Sequence, residues 1–221
     1  LKPVCKYPQL CCNLGKKEKV SENMVCPSGL EDCICATVFN VENGFINHSR
    51  ILKDHIKIIE HGNFKNAKTS IQKIILHRTA GSTTEACKTA FKNGRKNKSG
   101  GIDHYGTHFI VGKDGKIHQT ADLGKITWHC KGWNSKAIGI EVVGCAIDKN
   151  GKCTLGLKGQ LPVAGWENLT EDQAKTVACL VKSLLNYYAL STENIDCHEH
   201  LASKEKGEGQ IVLDAIKPYL K

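Results

Sequence analysis

No stretch of this chain reaches the roughly 18 consecutive apolar residues that a membrane-spanning helix needs, so none reads as a span. No signal peptide is visible at the amino terminus. The chain opens on Leu1 rather than Met, which reads as a mature or trimmed protein whose export signal is already gone. Internal repeats and low-complexity tracts are absent, and so is any recognisable nucleic-acid-binding motif. The first six cysteines (Cys5, Cys11, Cys12, Cys26, Cys33 and Cys35) form no C-x-x-C pair. That argues against a zinc ribbon or a thiol redox motif in this segment.

What is present is a basic, cysteine-bearing globular chain. Its 221 residues fit one domain of ordinary size plus an appendage, and 40% hydrophobic content allows a sizeable core. Twelve cysteines are many for a reducing compartment, so a disulfide framework in an oxidising one is the better reading. The expected location is therefore secreted or periplasmic. The net charge of +9 favours anionic partners such as a cell wall or membrane surface. Residues 1–45 hold six of the cysteines with little periodicity and read as a cysteine-rich segment; residues 46–221 read as the main domain.

Patterning sharpens after residue 70. Ile71 to Leu76 is a β-branched apolar run expected to form a buried strand. Ser82-Thr83-Thr84-Glu85 is a capping-box sequence that should open a helix reaching about Asn93. Thr107 to Val111 and Lys116 to Thr120 read as strands joined by a Lys113-Asp114-Gly115 turn. Ala137 to Gly144 reads as a central strand. Cys145 and Cys153 bracket a polar loop that a disulfide would staple. Thr170 to Gln173 is a second capping box, followed by helical spacing to about residue 189. Ile211 to Leu220 reads as a terminal helix. The alternation of strands and helices predicts an α/β domain with a central mixed sheet flanked by helices, preceded by the disulfide-rich segment.

Two stretches carry chemistry. Ile74-Ile75-Leu76-His77 ends an apolar run on a histidine. Between Asp196 and Gly209, His198 is followed eight residues on by Lys206 and ten residues on by Glu208. Two histidines and a carboxylate suit a catalytic zinc that keeps one position open for water. Glu141 stands inside the apolar strand Ile138-Gly139-Ile140-Glu141-Val142. A carboxylate there is either turned outward or functional, because burying it without a partner is costly.

In order, Leu76-His77-Arg78-Thr79-Ala80-Gly81, Gly106-Thr107-His108-Phe109, Trp128-His129, Asn134 to Glu141, and His198 with Lys206-Gly207-Glu208 resemble the zinc-dependent N-acetylmuramoyl-L-alanine amidases. That family includes phage lysozyme-type amidases, cell-wall recycling amidases and animal peptidoglycan recognition proteins. The resemblance covers about residues 70–221 and leaves the first 45 unmatched. It implies a Zn2+ cofactor held by His77, His198 and Glu208, with Glu141 as general base and Lys206 stabilising the oxyanion. It further implies that His108, Trp128, His129 and Asn134 belong to the substrate pocket or support it. Relatives usually carry aspartate or cysteine where Glu208 stands, which leaves Cys197 and His200 as rival ligands. Thr107 replaces a tyrosine found in some members, and Tyr105 is nearby. Trp133 and Trp166 fit core or groove equally. The implied activity is hydrolysis of the amide between muramic acid and L-alanine in peptidoglycan or a muropeptide, by a monomer. The alternatives are a recognition protein on the same fold without catalysis, and a lysin or toxin using the same chemistry.

Overall fold

The computed structural model describes residues 40–154 and 163–220. The cysteine-rich segment before residue 40 lies outside them. A small hairpin, Val41–Glu42 against Phe45–Ile46, straddles the expected boundary near residue 45. It packs on the main domain: Ile46 N–H donates to the Gln119 side chain, whose amide donates to the Gly44 carbonyl.

Six strands form the central sheet: β1 Ile51–Lys53, β2 Lys73–Arg78, β3 Phe109–Val111, β4 Ile117–Gln119, β5 Ala137–Val142 and β6 Ile195–Cys197. Their spatial order is β6-β2-β5-β3-β4-β1. The first four in that order run parallel, β4 is antiparallel to β3, and β1 is parallel to β4. The mixed sheet is the expected one, but β1 was not legible: residues 46–70 mix polar and apolar residues without a clean pattern and read as a connection with short elements. Besides a single helical turn at Ala67–Ser70, the described helices are α1 Thr84–Asn93, α2 Glu171–Tyr187, α3 His198–Leu201 and α4 Gln210–Ile216.

Parallel strands buried on both faces read as continuous apolar runs, as Ile74-Ile75-Leu76 does. Alternation then divides the faces. Ile74, Leu76, Ile138, Ile140 and Val142 point to α2 and α4, where they meet Val177, Leu180, Leu184, Val212 and Ile216. Ile110 faces the other way, in a cluster with Cys87 and Phe91 of α1. Ile75 and Ala137 share a third cluster with Cys130. Residues in phase with Ile75 and Ala137 include His77 and Glu141, so both polar groups leave the sheet on the α1 side.

The caps refine the sequence reading. Thr83, not Ser82, caps α1 by accepting from Ala86 N–H. Thr170 caps α2 as expected, accepting from Gln173 N–H. Gln173 does not reciprocate; it donates instead to the carbonyls of Val111 and Val143, tying α2 to the sheet. The terminal helix ends at Ile216 and continues as a 3-10 turn over Lys217–Tyr219.

Candidate metal centre and active site

Three parallel strands deliver the site at their carboxyl ends, the usual place for ligands in open α/β sheets. His77 and Glu141 are each the second-last residue of their strands and lie in register with one another. His198 follows β6 directly and begins α3. Glu208 comes from the turn before α4.

The donor atoms converge. His77 Nδ1 lies 2.7 Å from His198 Nδ1, which lies 2.9 Å from Glu208 Oε1. Glu208 Oε1 is 3.9 Å from His77 Nδ1. These spacings bracket the roughly 3.3 Å expected between ligands of a tetrahedral zinc with bonds near 2.0–2.1 Å. Both histidines are buried, and Glu208 is mostly so. No other group of three or more His, Cys, Asp or Glu side chains among the described residues is arranged to hold a metal.

The hydrogen bonds around His77 fix which of its ring nitrogens could serve a metal. His129 Nε2 faces the Ala137 carbonyl at 3.4 Å, and a carbonyl only accepts. His129 Nδ1 therefore carries the lone pair and receives the His77 Nε2 proton across 3.1 Å. That leaves a lone pair on His77 Nδ1, aimed at His198 and Glu208. Burial, then the charges of His198, His129 and Lys204, hold His77 well below the ordinary imidazole pKa. Burial also pulls His129 down to about 3. Both rings are thus neutral at physiological pH, as metal ligation requires.

Glu141 has the opposite perturbation. Burial first, and the Glu208 charge second, raise its carboxyl to about 8, against the pull of Lys204, Arg95 and Arg78. Its Oε2 is buried without a hydrogen-bond partner among the described residues. A carboxyl held near neutrality, with one oxygen open, is suited to proton transfer.

The remaining expected residues fall in different places. His108 is fully buried, its Nε2–H donating to the Lys125 carbonyl and its Nδ1 accepting from Gly139 N–H. Its ring centroid lies 6.1 Å from that of His129. Asn134 organises the adjoining loop by accepting the amide protons of His129 and Cys130. Trp128 is 43% exposed and stacks on His61 with ring centroids 3.8 Å apart. Cys197 is buried on β6, and His200 turns to Asp196, so neither joins the trio. Lys206 is exposed, and its carbonyl accepts from the Trp166 indole. The lysine whose charge acts on both His77 and Glu141 is Lys204. Nothing in the spacing distinguishes Lys204 among the lysines of that loop. Glu199, also unforeseen, accepts from Gly209 and Gln210 N–H and so fixes the turn behind Glu208.

The family described as N-acetylmuramoyl-L-alanine amidase matches residues 67–210. Peptidoglycan-recognition protein SC2 of Drosophila simulans is 34% identical over 92 residues, covering 38% of this chain. That alignment spans half the length of the relative (50%). Among solved structures, the fold is similar to a selenomethionine derivative of AmpD, with TM-score 0.57 and 16% identity over 82% of this chain and 99% of that one. It is also similar to the amidase LysC from Clostridium intestinale URNW, with TM-score 0.51 and 18% identity over 77% and 96% of the two chains. With the family match extending across the strands and the turn that deliver His77, Glu141, His198 and Glu208, the chain belongs to the N-acetylmuramoyl-L-alanine amidase family.

Proposed function

We propose that the protein is a zinc amidase that hydrolyses the amide between N-acetylmuramic acid and L-alanine in peptidoglycan or a muropeptide. The observation that carries this reading is the meeting of His77, His198 and Glu208 beside the unpartnered oxygen of Glu141. Zinc held by the trio would supply a Lewis acid and make water a better nucleophile at neutral pH.

The chain's own groups do the rest. His129 orients His77 and keeps its proton on Nε2. Glu141, its carboxyl drawn back toward the carboxylate by the charge that a bound zinc would add, accepts the proton of the attacking water on Oε2 and returns it to the leaving amine of L-alanine, since an amine must leave protonated. Positive charge on the loop before Glu208 stabilises the oxyanion. Lys206 holds the position that the family pattern selects, and Lys204 has the charge that already reaches the site. Trp128, flat and exposed on its His61 backing, offers a face to a sugar ring or peptide.

The protein acts as a monomer outside the cytoplasm, where peptidoglycan is met and a disulfide such as Cys145–Cys153 persists. Digestion of purified peptidoglycan, with and without chelator, followed by mass analysis, tests the reading. Stem peptides beginning with L-alanine, lost on chelation, are expected. Binding to peptidoglycan with no released peptide would favour a recognition protein instead.

A further inference from the structure

We infer that Trp166 is a positioning residue that holds the Glu208 arm of the metal site, an inference that rests on Glu208 being a ligand as proposed above. Glu208 carries its carboxylate on two methylenes, so where that carboxylate reaches depends on where the loop backbone stands, and Gly207 and Gly209 on either side do little to fix it.

Two contacts set that backbone position. On the inner side, the Glu199 carboxylate takes Gly209 N–H at 2.7 Å and Gln210 N–H at 2.9 Å. On the outer side, the Trp166 indole N–H donates to the Lys206 carbonyl at 3.0 Å. Gly207 has φ +85°, and a Cβ added there would lie 3.2 Å from the indole Cδ1. The loop backbone thus rests against the ring edge at the residue before Glu208.

Trp166 is itself braced. The strand Gly165–Trp166 pairs with Ala146–Ile147, which also pairs with Cys153–Thr154. The Cys145–Cys153 disulfide closes this small sheet. The next residue, Glu167, accepts from Cys145 N–H and pairs with Lys113 through its carboxylate. Its carbonyl accepts from the guanidinium of Arg78. Arg78 is the neighbour of His77 in β2. A continuous path therefore runs from the strand that presents one ligand, through Arg78, Glu167 and Trp166, to the turn that presents another.

Groups that hold metal ligands in place typically contribute about 10- to 100-fold in affinity. The test is zinc affinity of the metal-free protein, measured by competition with a chromophoric chelator. It compares wild type, Glu208→Ala, Trp166→Phe and the double variant. Phenylalanine keeps a ring against Gly207 and removes only the N–H donor. Zinc should bind about 10-fold more weakly to Trp166→Phe, and the double variant should bind no more weakly than Glu208→Ala alone. Wild-type affinity in Trp166→Phe, with a loss in Glu208→Ala, overturns the inference and leaves the ligand assignment standing. Additive losses in the double variant also overturn it, because they place the effect of Trp166 elsewhere in the fold. Wild-type affinity in Glu208→Ala overturns both.

Discussion

Glu141 and His77 are in-register partners on adjacent parallel strands, each one residue from its strand's carboxyl end. Their side chains share a face, so a carboxyl raised to about 8 stands beside a neutral imidazole. In the proposed function this adjacency divides the labour: the imidazole would give its lone pair to a metal, and the carboxyl would handle protons.

Glu141→Gln should lower hydrolysis by about 100- to 10,000-fold, the usual range for general acid–base catalysis. Zinc affinity and fold should be kept, because the amide nearly preserves shape. Turnover on purified peptidoglycan and zinc content of the same preparation check this. Near-normal turnover would move the base to another group, with Tyr105 the first candidate.

The same carboxyl makes stability depend on pH. In the metal-free protein its pKa is raised from 4.5 to about 8. The folded state thus keeps a proton that the unfolded chain has lost, and stability falls as pH rises through that window. Glu141→Gln lacks this term. Chelated wild type should match the variant most closely below pH ~4.5, fall behind it as pH rises to about 8, and stay at a constant deficit above. Thermal melts of both proteins across that range read the difference; parallel curves would contradict the buried, protonated carboxyl.

His129→Ala should weaken zinc binding by roughly 10- to 100-fold, since it removes the group that orients His77 and fixes its tautomer. Chelator competition measures it. An unchanged affinity would mean that His77 is oriented by its backbone alone.

Lys206→Ala and Lys204→Ala should each retain zinc. The variant that removes the oxyanion's partner should lose roughly 100-fold or more in turnover. Full activity in both would remove the loop lysines from the chemistry.

Much of this was legible in the sequence, for reasons that particular residues show. Ile74 to Leu76 and Ala137 to Ile140 are buried on both faces, and the continuous apolar pattern announces such strands. The Thr170 cap fixes the start of α2. The edge strand Ile51–Lys53 escaped because only Ile51 is buried; Leu52 and Lys53 face solvent and leave no pattern. His77, Glu141, His198 and Glu208 could be chosen from their motifs, but no spacing shows that β2, β5 and β6 end at one place. Parallel register does that, and it is a long-range property. Contacts that cross the site from other elements were illegible for the same reason. Glu199 looks like any surface acid, and Trp166 fitted core or groove until its indole was seen on the Lys206 carbonyl.

The proposed function stands or falls on a zinc ion held by His77, His198 and Glu208. A crystal of the zinc-loaded protein, with an anomalous difference map at the zinc edge, tests it most directly. The expected result is one strong peak about 2.0–2.2 Å from a nitrogen of each histidine and an oxygen of Glu208. A peak held by His77, His198 and either Cys197 or His200, with Glu208 turned to solvent, would contradict it.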